Sequence, residues 1–122
     1  MNTELEPQEP QISVSIAKLN AAELRVIQKW AVQRFEKFPT FGPWIAELIG
    51  DEQNRRQDPS IELAMVQLPK WTGTQLADCL VGSFVLCRLP LTPAIARWVD
   101  EIHKHIVADC SAALEQFGQV VT

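Results

Sequence analysis

The chain has 122 residues, 47% of them hydrophobic and 21% charged, with a formal net charge of −4. That length supports one domain with a real core. The mild acidity argues against a dedicated nucleic-acid binder, which carries a strongly basic face. Cys79, Cys87 and Cys110 are an odd set without zinc-type spacing, which suits reduced thiols of a cytoplasmic protein better than a disulfide framework.

Residues 1–11, MNTELEPQEPQ, hold three glutamates and two prolines and few hydrophobes. This composition predicts a disordered acidic tail, and it does not read as a secretory leader. The remaining residues, 12–122, read as a single helical domain. In "ISVSI", Ile12, Val14 and Ile16 alternate with serines. The alternation predicts an extended segment lying on the helices, or a short strand offered to another chain.

The first predicted helix covers Ala21 to Phe38. Asn20 and Glu23 have capping-box spacing, and Leu19 and Leu24 that of a hydrophobic staple. Leu24, Ile27, Ala31, Phe35 and Phe38 form one apolar stripe, and Pro39 ends the helix. A second helix is expected from Pro43, with Trp44, Ile45, Leu48 and Ile49 inward and Gly50 as its stop. The polar run DEQNRRQD then reads as a loop or a frayed extension. Asp58 and Pro59 open a third predicted helix, on which Ile61, Ala64, Met65 and Leu68 share a face before Pro69.

The fourth predicted helix, about 73–89, contains LADCLVGSFVLCRL. Only Asp78, Ser83 and Arg88 in that stretch are strongly polar. Thr72 and Gln75 have capping-box spacing at its start. A helix apolar on all sides is normally buried on all sides. It therefore predicts either a central position in the bundle or burial by a second subunit, with Gly82 and Ser83 admitting a close neighbour. Thr92 and Pro93 open a fifth helix, about 93–117, with Gly118 as its stop. Its predicted buried stripe is Ile95, Val99, Ile102, Ile106, Cys110, Ala113 and Phe117. At roughly 37 Å it outruns its neighbours, so it either breaks near Ser111 or projects. No apolar run reaches the ~20 residues of a membrane span.

The fold expected is thus all-α, a compact bundle of about five helices. Chemistry is sparse. His103 and His105 point apart on a helix and cannot chelate one metal together. Glu101, His105 and Asp109 share a stripe that resembles part of a metal site, but with Arg97 it reads better as a solvated charge ladder. Cys110 and His103 lie about 10 Å apart along the helix, too far to form a thiolate–imidazole pair. No cofactor motif is found. Trp30 and Trp71 fall at a stripe edge and in a connector, positions that either lid a core or face a partner.

These features lead to an expected non-enzymatic protein-interaction module (a small subunit, adaptor or assembly factor) that self-associates as a homodimer or joins a constitutive heteromer. Trp30, Trp71, Leu114 and Phe117 are its candidate contacts, and its partner is a protein or a second copy, not a membrane. Arg25, Lys29, Arg55 and Arg56 would serve the alternative of a subunit in a nucleic-acid-handling complex. Glu101, His105 and Asp109 would serve a metal- or ligand-binding bundle.

Overall fold

The computed structural model describes residues 9–58, 60 and 71–121, with side chains over 12–58, 60 and 71–113. The fold is all-α. Its helices are α1 (Glu9–Ala17), α2 (Ala21–Gln33), α3 (Phe41–Gln57), α4 (Gly73–Cys87) and α5 (Pro93–Val121), with no strand among the described residues. The expected third helix falls on 58–68 and lies largely outside the described residues.

The helices pack as a chain of neighbours: α2 on α3, α3 on α4, α4 on α5, and α5 on α1. Polar contacts link the ends of that chain. Arg56 of α3 donates from Nη2 to the carbonyls of Ile16 and Ala17, at 3.2 Å each, which caps the C-terminus of α1 with a cation. Glu23 of α2 accepts from the hydroxyl of Thr92, the residue before α5. The core between them gathers Ile12, Leu24, Ile27, Phe35, Phe41, Ile45, Trp98 and Ile102. Full burial of each such side chain contributes about 1.5–3 kcal/mol.

The segment expected to be extended is helical. Ile12 and Ile16 are buried, and so is Leu19 just beyond the helix. Those three fall at i, i+4 and i+7, a helical spacing that the alternation of Ile12, Val14 and Ile16 conceals. Val14 is accordingly turned outward and half exposed. The helix begins at Glu9, inside the stretch expected to be a tail.

The Asn20–Glu23 capping box forms as its spacing predicts, with both hydrogen bonds at 2.8 Å. However, α2 ends at Gln33, five positions before the expected Phe38. The N–H groups of Arg34 and Phe35 both donate to the Trp30 carbonyl, which closes the helix. The chain must turn there to seat Phe35 against Phe38 and Phe41, whose ring centroids lie 5.8 and 5.3 Å from that of Phe35.

Gly50 does not stop α3, which continues to Gln57 through the polar run. The physical reason is Glu52. Its carboxylate is buried and accepts from Arg55 at 2.9 and 2.6 Å and from Arg56 at 2.7 Å, a helical i, i+3, i+4 arrangement. The Thr72–Gln75 capping box also fails. Thr72 makes no side-chain cap, and Gly73 enters α4 with φ +49°, the left-handed region that glycine tolerates. Thr92, by contrast, caps α5 as expected, accepting from the Ile95 N–H at 3.2 Å.

α5 is one unbroken helix of 29 residues, about 43 Å long against about 22 Å for the 15 residues of α4. It does not break at Ser111 or stop at Gly118. Ile95, Val99, Ile102 and Ile106 are buried as the stripe predicts, but Cys110 is only partly covered and Ala113 is exposed. Ser111, Ala112 and Ala113 are all exposed.

Candidate functional site

The contacts of α4 divide its circumference into three faces. One side meets α3. Gly82 lies under the Phe41 ring, so close that a Cβ there would sit 2.4 Å from Cδ2. On the same side, Asp78 Oδ2 accepts from the backbone N–H groups of Thr40 and Phe41 at 3.0 and 2.9 Å. Thr40 offers α3 no side-chain cap of its own. A carboxylate from another helix thus supplies the missing acceptor and sits at the positive end of the α3 dipole. Asp78 is one of the three strongly polar residues in the otherwise apolar stretch of α4. Its role depends on a contact 37 residues away, and no local pattern announces it.

The second side meets α5. Ser83 Oγ lies 2.8 Å from His103 Nδ1 and donates to the Leu80 carbonyl at 2.9 Å. Ser83 has one hydroxyl hydrogen, so it donates to one of these two acceptors at a time, and the His103 tautomer sets the direction of the Ser83–His103 bond. Phe84 packs edge-on to the same imidazole, with centroids 4.8 Å apart. This pairing resembles half of a nucleophile–base arrangement, but Ser83 is 0% exposed and its hydroxyl is turned onto its own helix. An acyl donor has no route to it, so the pair holds α4 to α5.

The third side faces outward. Thr74, Ala77, Val81, Phe84 and Arg88 are all exposed, with Val81 and Phe84 at 52% each. Across the α5 edge, Val107 adds a further 38% exposed valine one turn beyond His103. The apolar circumference read from the sequence is therefore only partly used. α4 lies between two neighbours but is not enclosed by them.

Of the expected interface residues, Trp30 and Trp71 are turned inward, at 8% and 9% exposure. Trp71 packs edge-on to Trp44, with centroids 5.1 Å apart. Both lid the core and present little to a partner. The side chains of Leu114 and Phe117 lie outside those described. Among the basic candidates, Arg25 and Lys29 are exposed on α2, whereas Arg55 and Arg56 are half-buried against Glu52 and α1. Glu101 and Asp109 are partly buried, and His105 is buried. Glu101 Oε1 is enclosed without a hydrogen-bond partner among the described residues. No three His, Cys, Asp or Glu side chains come together as a metal site would need, again among the described residues.

The thiols are held in the protonated form. Burial pushes Cys79 up to about 12, with Asp78 and Cys110 adding to the effect. Burial also raises Cys87 and Cys110, the first helped by Asp100 and the second by Asp109. None has the electropositive surroundings that activate a nucleophilic cysteine. No described helix is long and apolar enough to cross a membrane. Comparison with protein-family models, with curated proteins and with solved structures finds no match to this chain.

Proposed function

We propose that this protein is a non-enzymatic interaction module that associates with itself. The observation that supports this most is the outward side of α4, where Val81 and Phe84 are half exposed one turn apart on one helix face. Exposed apolar surface of this kind tends to mark an interface. The described polar groups support no catalytic reading: the one serine–histidine pair is sealed, and the thiols are raised. A nucleic-acid role has less support, because two of its four candidate cations are engaged in internal pairs.

The test is molar mass by light scattering over a wide concentration range. Self-association predicts a mass that rises from the 13.7 kDa of one chain toward twice that value. A constant 13.7 kDa up to roughly millimolar protein, a concentration at which ~4 kcal/mol of binding free energy would register, would overturn it.

A further inference from the structure

The outward residues of α4 fall at intervals of three, four, three and four: Thr74, Ala77, Val81, Phe84 and Arg88. That is the spacing of a coiled-coil seam. The other sides of the helix are taken, one by Phe41 and the α3 N-terminus that Asp78 caps, one by His103 of α5. The seam is therefore a helix face without a partner helix among the described residues, although the Phe84 ring also touches His103 at its α5 edge.

We propose that a second copy of the chain covers this seam, with the two α4 helices antiparallel about a two-fold axis at Val81. This rests on the self-association proposed above and specifies its surface. The pattern of sizes carries it. About an axis at Val81, each Phe84 meets the small Ala77 of the other copy, Val81 meets its own copy, and Arg88 meets Thr74. Large opposes small at the Phe84–Ala77 and Arg88–Thr74 levels on either side of the central Val81 pair, as interdigitating layers require. A parallel pair would instead set Phe84 on Phe84 and Arg88 on Arg88, and would align the helix dipoles unfavourably. Arg88 lies at the end of the seam, where its charge stays in water while its stem covers apolar surface. A two-fold contact must be self-complementary, and this face is.

Its size sets the strength. A strip about 22 Å long on a helix about 10 Å wide gives roughly a few hundred Å² per copy. A standard stable interface has about 800 Å² per partner. The seam thus supports a reversible dimer, to be sought at high protein concentration.

The experiment is sedimentation equilibrium on four chains: the wild type, Ala77→Phe, Phe84→Ala, and the double variant carrying both changes. Residues 77 and 84 are two helical turns apart, roughly 10 Å, so they do not touch within one copy. Each single change should weaken the dimer about tenfold, one by crowding two rings and the other by leaving a void. The double change places a ring opposite an alanine again and should recover affinity to within about threefold of wild type. Melting curves on all four confirm that the fold is retained.

If the wild type dimerises and neither single change weakens it, the seam is overturned while self-association stands through another face. If the single effects simply add in the double variant, the antiparallel pairing is overturned. A wild type that stays monomeric throughout overturns the seam and the function proposed above together.

Discussion

Replacing Gly82 by alanine isolates the contact between α3 and α4. In a helix interior that change alone gains up to about 1 kcal/mol, because glycine loses more chain freedom on folding. At Gly82 the new methyl would lie 2.4 Å from Phe41 Cδ2 and 2.7 Å from Cγ. The ring cannot swing aside. Phe41 is fully buried, with Phe35 edge-on at 5.3 Å and Trp44 at 6.2 Å. The two helices must therefore separate by roughly 1 Å to reach ordinary contact, an overpacking that costs about 1–3 kcal/mol. Gly50 supplies the control, since nothing lies within 4 Å of a Cβ built there. Both substitutions carry the same unfolded-state gain, so their difference reports the clash. Gly50→Ala should be more stable than wild type by about 0.5–1 kcal/mol. Gly82→Ala should fall about 1–3 kcal/mol below Gly50→Ala, or several degrees in Tm for a domain of this size. Urea and thermal melts of the three proteins measure this. Equal stability of the two variants would refute the close approach of α4 to Phe41.

Asp78→Ala should cost about 1–3 kcal/mol, because two backbone N–H groups at the start of α3 lose their acceptor, and Asp78→Asn should cost less; equal losses in chemical denaturation would count against the cap. Burial alone would raise the Glu52 carboxyl, but hydrogen bonds and charge from Arg55 and Arg56 overcome it and hold it below the ordinary value. A lowered folded pKa means that its stabilisation is complete above the unfolded value, about 4.3, and is lost as pH falls through the folded one. Glu52→Gln should therefore flatten the acid side of the stability–pH curve, and an unchanged slope would contradict the pairing. Alkylation at neutral pH should label the exposed Cys87 slowly and leave the buried Cys79 untouched until denaturant is added, as peptide mapping would show.

The sequence shows the helices best where the determinants are local. The Asn20–Glu23 box, the Thr92 cap and the apolar stripes over Leu24, Ile27 and Ala31 of α2 and Ile95, Val99, Ile102 and Ile106 of α5 depend on near neighbours in the chain, and the structure contains them. It misleads where a distant partner decides. Ile12, Val14 and Ile16 fit a strand and a helix equally well, and only burial of Leu19 with them selects the helix. Gly50 reads as a stop, but the Glu52 ion pairs, together with the Arg56 bonds to α1, carry α3 onward. Phe38 continues the α2 stripe on paper, yet the packing of Phe35 on Phe41 turns the chain first. The candidate site follows the same division. That α4 is apolar around its circumference is visible in the residues, and so is the room for a neighbour at Gly82. Which side remains uncovered depends on where Phe41 and His103 arrive, and those contacts join Gly82 to a residue 41 positions away and Ser83 to one 20 positions away. Trp30 and Trp71 drew attention for their chemistry, but a small domain can also use large aromatic rings to close its core, and here it does.

The central claim is that the outward face of α4 carries self-association. Sedimentation equilibrium of the wild type beside Phe84→Asp, at matched high micromolar concentrations, tests it most directly. Phe84 is half exposed and the contact it loses within the monomer is its edge on His103, so melting curves of both proteins check that the fold is retained. The predicted result is a reversible dimer for the wild type and the 13.7 kDa monomer for Phe84→Asp, with the helical signal of both unchanged. A variant that dimerises as well as the wild type would contradict it.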